Sequence, residues 1–295
     1  MRIAIVLSGG TKFSWHLFSF DHIGLLAKRL SEEGHEVTLL DYRYTPADPN
    51  IEFWDGIKVV RLAPFGFSQS TLYRILRVSQ WSFSPGWALE RLLYAISVLK
   101  YFHDKEFNSI YCQSTLVALV LTYLLPKLQK ILVLHSLVYP REKHERRWIH
   151  RLEMFLEYAA VRRVKLVVTE IEKNRRRILE EAHVPDNKVI TIEPGVDVTF
   201  WRSDPLGSRV KKQFGLGEKL VVLFQGRIVA RKGVDVLIRA AHVLVNRRGH
   251  RNLALLIVGP PTEQTSPTQE EKLYVQNLLS LIRNLDLDEV VKLVP

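Results

Sequence analysis

Cysteine is almost absent from this chain: Cys112 stands alone among 295 residues. No internal disulfide can form, and a lone thiol points to a reducing compartment. Long apolar runs are lacking as well. The longest, residues 116–125, is broken by Pro126 and Lys127 and falls well short of the ~20 residues that a membrane-spanning helix needs. The first apolar run, residues 3–7, is too short for a signal peptide and stops at Ser8-Gly9-Gly10, so the chain reads as cytosolic. Along the sequence no histidines or cysteines stand at zinc-ligand spacing, and no G-x-G-x-x-G turn marks a dinucleotide site. Internal repeats and low-complexity tracts are also missing.

Acidic residues fall short of basic ones, 31 against 42, which leaves a net charge of +11. Such a surplus attracts anions: nucleotide phosphates, acidic lipid headgroups or nucleic acid. Its densest source runs from Arg141 through Arg151, Arg162 and Arg163 to Arg175, Arg176 and Arg177, with glutamates interleaved. Interleaving of that kind suits a helix face with ion pairs three and four residues apart, and a patch for an anionic membrane surface is the competing reading. Nucleic acid is disfavoured as a partner, because Trp148, Tyr158 and Trp201 do not alternate with the basic residues as a stacking platform would.

Strand and helix patterns alternate. Residues 2–7, 36–42, 57–62, 109–112, 130–134, 165–169 and 188–192 read as short strands rich in leucine or β-branched residues. Helical periods at 15–33, ending at Gly34, and at 87–103 lie between them. Alternation of this kind predicts an α/β fold, a mostly parallel sheet with helices on both faces. The stretch 201–218, polar and carrying Pro205, Gly207, Gly215 and Gly217, reads as a passage between domains 1–200 and 219–295. The pattern then restarts with strand 220–224, read as buried, helix 234–246, strand 253–258 and helix 269–285, the last with Thr268 and Glu271 as a capping box. A final strand, 290–294, is expected to present an unpaired apolar edge.

Candidate site residues gather where strands end, as they do in open parallel sheets. Gly9 and Gly10 follow the first strand and allow a phosphate or sugar close to the backbone, although a plain tight turn explains them equally. His135 follows the strand at 131–134, and Thr169 and Glu170 follow the one at 165–168. Strand 220–224 runs into Gly226, Arg227, Lys232 and Gly233 before a helix whose apolar face is Val234, Leu237, Ile238, Ala241, Leu244 and Val245. A helix amino terminus offers unpaired N–H groups and a positive dipole end, to which Arg227 and Lys232 add charge, so this is the build of an anion site. Asp286-Leu287-Asp288 has the D-x-D form that can hold a divalent ion, but its place between a helix and a strand suits a turn.

The segment Gly226-Arg227 to Lys232-Gly233 with its L-I-x-A helix, Pro194-Gly195-Val196-Asp197 upstream, Val258-Gly259 downstream and the Gly9-Gly10 turn together resemble the retaining, nucleotide-sugar-dependent glycosyltransferases of family four. The resemblance implies a GT-B fold, two Rossmann-like domains facing a cleft, the second incomplete because the family's two-glutamate motif would lie past Pro295. It implies transfer of a sugar with retention to an acceptor hydroxyl, impaired in this chain by that shortening. Arg227 and Lys232 would meet the donor's β-phosphate, His135 would contact the sugar or acceptor, and Thr169 and Glu170 would lie near the cleft. No cofactor or metal is expected beyond the nucleotide sugar. A sugar or lipid-linked acceptor is implied, with cytoplasmic location and peripheral membrane contact. Two other classes fit the same residues: a non-catalytic remnant that binds a nucleotide or a partner, and a basic nucleic-acid-binding protein.

Overall fold

The computed structural model describes residues 1–7, 22–76, 85–135, 147–198, 207–259 and 269–294. The chain divides into two compact units, Met1–Trp201 and Arg202–Pro295.

In the first unit the elements run β1 (Arg2–Val6), α1 (His22–Glu32), β2 (Glu36–Tyr42), β3 (Ile51–Trp54), β4 (Ile57–Leu62), α2 (Gln69–Leu76), α3 (Pro85–His103), β5 (Ser109–Cys112), α4 (Thr115–Leu124), β6 (Leu132–His135), α5 (Arg147–Arg163), β7 (Leu166–Thr169), α6 (Glu172–Ala182) and β8 (Val189–Thr191). The eight strands form one sheet in the order β3-β4-β2-β1-β5-β6-β7-β8. Every pair is parallel except β3 with β4.

Alternation along β1 shows why both faces are covered. Ala4 and Val6 join a core with Leu40, Val98, Phe102, Ile110 and Leu121, while Ile5 and Leu7 join a separate one with Ile23, Ala27, Leu39 and Val59. Successive side chains on a strand point to opposite faces, so a strand apolar at every position must be sandwiched between helices. Each fully buried Leu, Ile, Val or Phe adds roughly 1.5–3 kcal/mol. Polar groups inside are answered locally. The stacked Tyr42 and Tyr94 rings, 4.3 Å apart, donate from their hydroxyls to the carbonyl oxygens of Glu90, Leu7 and Leu40. Cys112 is fully buried and its thiol donates to the Ser114 carbonyl oxygen.

Several sequence expectations change here. The antiparallel hairpin β3–β4 was missed, although its Asp55-Gly56 turn has positive φ at both residues, 44° and 81°, the conformation that Asp-Gly favours in two-residue hairpins. Residues Pro126–Lys130 form a 3₁₀ turn, so the strand expected from 130 starts at Leu132 instead. The described part of the first helix begins at His22. The basic region carries the pairs expected of a helix face: Arg175 and Arg176 both bond Glu172, and Arg175 also holds Asp186.

The second unit contains α7 (Gly207–Gln213), β9 (Leu220–Gln225), α8 (Val234–His242), β10 (Leu253–Val258), α9 (Gln269–Asn284) and β11 (Val291–Val294). α7 lies inside the stretch read as a polar passage. α8 runs on into a wider π turn at Val243–Arg247, where Leu244 is exposed. Its three strands are parallel in the order β11-β10-β9. Val234, Ile238 and Ala241 of α8 pack with Leu255 and Ile257 of β10 and Leu278 and Ile282 of α9. β9 overturns the buried reading of 220–224: it is an edge strand, with Leu220 68% and Leu223 58% exposed. Apolar content made it read as interior, but among the described residues only β10 pairs with it, along one edge. β11, the other edge, is the less exposed of the two, with Val291 buried and Lys292, Leu293 and Val294 half-buried. Thr268 of the expected capping box lies outside the described residues.

Candidate functional site

Strand order in the first unit reverses between β1 and β5, which neighbour each other while the chain leaves them in opposite directions. Ligands of such sheets bind past the carboxyl ends of strands near that reversal. Gly9 and Gly10, expected there, lie outside the described residues.

His135 is the last residue of β6 rather than the residue after it, and its backbone pairs with Val168 of β7. That pairing fixes the imidazole at the rim of the sheet, 2% exposed. Thr169 ends β7, fully buried, with its hydroxyl donating to the Ile171 carbonyl oxygen at 3.5 Å. Glu170 follows it and brings Oε1 to 3.5 Å from His135 Nε2. His22, the first residue of α1, reaches the same carboxylate oxygen from the other side, Nε2 to Oε1 3.7 Å. The two imidazoles stand edge to face, centroids 5.7 Å apart at 89°. Tyr111 of β5 lies beside them, its ring 5.6 Å from that of His135. Burial, and then the Glu170 carboxylate, holds its hydroxyl far above the ordinary phenol range, so it stays protonated.

The structure therefore joins His135 to Glu170, with Thr169 between the two strand ends and Glu170. It adds His22, which sequence reasoning missed. Nothing in the sequence signals it, because His22 falls in the middle of the helical period expected over 15–33. The expectation that no histidine cluster has ligand spacing concerned linear spacing; three elements remote in sequence make the cluster here.

In the second unit β9 ends at Gln225 and Gly226 donates its N–H to the Val258 carbonyl oxygen at 3.0 Å. Arg227 is half-buried, Ile228 is fully buried and anchors the loop, and Ala230–Lys232 forms one 3₁₀ turn that leaves Lys232 exposed. Gly233 then takes the left-handed conformation, φ 66°, and opens α8 without a side-chain cap. Arg227 and Lys232 thus share one loop at a strand's carboxyl end. The helix dipole is partly answered already: Asp235 sits in the first turn, its N–H donating to the Tyr274 hydroxyl and its carboxylate accepting from it. An anion placed in this loop would draw on the two side-chain cations more than on the dipole. Asp286-Leu287-Asp288 is a turn, as expected. Asp286 has φ 53°, it and Leu287 donate backwards to Arg283 and Ile282, and Leu287 is buried.

Two α/β units, each built on a mostly parallel sheet, make up a fold of the GT-B type. The likeness to solved structures carries the fold. A sucrose-phosphate synthase from Thermosynechococcus elongatus matches with TM-score 0.66 at 16% identity, covering 99% of this chain and 70% of that one. HepE of Anabaena, solved in complex with UDP, matches with TM-score 0.63 at 17% identity, covering 99% and 68%. Residues 21–200 match the model for Glycosyltransferase Family 4, and residues 208–295 match that for Glycosyl transferases group 1. The chain belongs to glycosyltransferase family 4.

Among curated relatives, a GDP-mannose-dependent alpha-(1-6)-phosphatidylinositol monomannoside mannosyltransferase of Mycolicibacterium smegmatis is 38% identical over 94 residues, 32% of this chain and 24% of that protein. A D-inositol 3-phosphate glycosyltransferase of Kineococcus radiotolerans is 28% identical over 143 residues, 47% of this chain. The match spans 31% of that relative's length.

Proposed function

We propose that this chain carries out transfer of a hexose, with retention, from a nucleotide-sugar donor to an acceptor hydroxyl. The observation that carries the reading is that Arg227 and Lys232 share the β9–α8 loop, within a chain of glycosyltransferase family 4. As the bond from the anomeric carbon to the β-phosphate oxygen breaks, the electron pair stays on the diphosphate, and negative charge grows there. Fixed cations at that point lower the barrier because they strengthen as the charge develops. The two side chains fill the role a divalent ion fills elsewhere, so the transfer step is proposed to need no metal on the phosphates and no further cofactor.

His135, held by the β6–β7 pairing and by Glu170, is proposed to contact the transferred sugar or the acceptor hydroxyl, with Gly9 and Gly10 near the donor. UDP in the HepE complex and GDP-mannose in the name of the mycobacterial relative support a nucleotide diphosphate sugar as donor. Titration calorimetry with UDP and GDP, followed by a transfer assay over a panel of nucleotide sugars, tests the reading. No heat with either nucleotide and no transfer with any donor would reject it.

A cytoplasmic protein touching an anionic membrane surface is proposed with it. No helix among the described residues is long and apolar enough to cross a membrane. Exposed Leu152 (50%) and Phe155 (65%) on α5 stand beside exposed Arg151, the composition of an interfacial helix face. Arg162 and Arg163 are tied to the carbonyls of Ala182 and Thr122, and Arg175 and Arg176 to Glu172, which narrows the candidate surface to the stretch of α5 that carries Arg151, Leu152 and Phe155. The lipid named in the mycobacterial relative supports a lipid-linked acceptor.

A further inference from the structure

We propose that His22, His135 and Glu170 form a binding site for a divalent transition-metal ion of the zinc class. The claim goes beyond sugar transfer and stands without it, because it is read directly as metal uptake. One ligand atom from each residue lies within 4.8 Å of both others. Glu170 Oε1 is 3.5 Å from His135 Nε2 and 3.7 Å from His22 Nε2. Zinc binds imidazole nitrogen at about 2.0–2.1 Å and carboxylate oxygen at about 2.0–2.2 Å, so the edge between two ligands of a tetrahedral ion is about 3.3 Å. Shifts of a few tenths of an ångström at two of the contacts, plus a rotation of one imidazole, complete the set.

Orientation supports convergence. The rings of His22 and His135 are perpendicular, 89°, which lets both direct a nitrogen at one point beside Glu170. Stacked rings would hold their nitrogens side by side instead. The frame is rigid where it must be: His135 is locked by strand pairing, Thr169 before Glu170 is fully buried, and His22 starts a helix packed on the sheet through Ile23 and Ala27. The donor set is selective. Two imidazoles and one carboxylate suit zinc and its neighbours, whereas magnesium and calcium prefer all-oxygen surroundings. Three protein ligands leave a fourth position for water or a ligand oxygen, the pattern of open rather than structural zinc sites.

The same three groups could instead clasp one another as a histidine–carboxylate–histidine cluster with no ion. The experiment separates the two. The full chain is stripped with a chelator and titrated with Co²⁺, reading the visible absorption of tetrahedral cobalt, and with Zn²⁺ by calorimetry. We expect uptake of one ion per chain. His22→Ala, at the partly exposed start of α1, and Glu170→Gln should each weaken it by about a hundredfold, at or above the upper end of what loss of a supporting outer partner costs. His103→Ala, which removes an exposed histidine paired with Asp104, should leave it unchanged. Magnesium should not displace the cobalt. Absence of tetrahedral cobalt bands in the wild-type chain would overturn the proposal without appeal to any variant. Uptake that survives His22→Ala and Glu170→Gln would overturn it too, by placing the ion elsewhere.

Discussion

Gly259 and Gly226 meet at the carboxyl ends of β10 and β9 so closely that a Cβ on Gly259 would lie 2.0 Å from the Gly226 carbonyl oxygen. The obstacle is backbone, not a side chain that can swing aside. Gly259 also has φ 149°, a region that side chains rarely adopt. Strand pairing holds the two ends together where the Arg227 loop begins, and glycine at 259 leaves room for that approach.

Gly259→Ala should therefore destabilise the second unit by on the order of 3 kcal/mol or more, since both steric overlap and backbone strain act. Gly195→Ala, where an added Cβ meets nothing within 4 Å, should shift stability by less than about 0.5 kcal/mol. Urea denaturation of both variants checks this. Equal midpoints would show that the strand ends separate easily.

Arg227→Ala should weaken binding of a nucleoside diphosphate about tenfold or more while the fold persists. A charge-assisted contact contributes roughly 1.5–3 kcal/mol, and Ile228, not Arg227, anchors the loop in the core. Calorimetry beside a thermal melt decides. Unchanged affinity in a folded variant would remove the phosphates from this loop.

Much of this was legible in the sequence, and the gaps have physical causes. Strands such as Arg2–Val6 and Leu253–Val258 were readable because a strand buried on both faces is apolar at nearly every position. The same rule misread β9, whose apolar residues sit at an edge, because composition reports what a strand would cover and not which neighbour it has. β3 escaped because Glu52 sits inside it, where it pairs with Arg61 of β4, and only Asp55-Gly56 betrayed the hairpin. His135 and Glu170 were legible as strand-end residues. Their meeting with His22 was not, since it depends on which helix end β1 delivers to the rim.

Cys112 should resist thiol reagents in the folded chain and react on unfolding. Burial pushes its thiol up to about 12, against about 8.5 for a free cysteine. The sign for stability follows: between those values the unfolded chain has lost the proton and the folded chain keeps it, so stability is intact below about pH 8.5 and falls as pH rises towards about 12. The slope is about 1.4 kcal/mol per pH unit for this group, and buried Tyr94 adds to it at higher pH because its hydroxyl is likewise raised by burial. Cys112→Ala should flatten the alkaline limb of a stability–pH curve measured in urea. An unchanged limb would assign it to the tyrosines alone.

Phe155→Asp should reduce co-sedimentation with anionic vesicles if α5 is the membrane face, because it removes an apolar anchor and adds repulsion. The electrostatic part is screened over about 8 Å at physiological ionic strength, so pelleting should also fall with added salt. Equal pelleting of wild type and variant, or equal pelleting with neutral vesicles, would argue that α5 does not touch lipid.

Leu223→Lys should lower self-association of this chain without lowering its melting temperature. Leu223 is 58% exposed on β9, and among the described residues β9 is paired only to β10, so the edge away from β10 presents backbone N–H and C=O groups with no described strand against them, beside an apolar surface. Such an edge templates strand addition by another chain, and a lysine there is the usual deterrent. Little core is lost, since Leu223 lies outside the cluster built on β10, α8 and α9. Analytical ultracentrifugation over a concentration series separates the outcomes. A variant that associates as strongly as the wild type would move the sticky surface off β9, and a variant that melts early would mean that Leu223 is covered in solution.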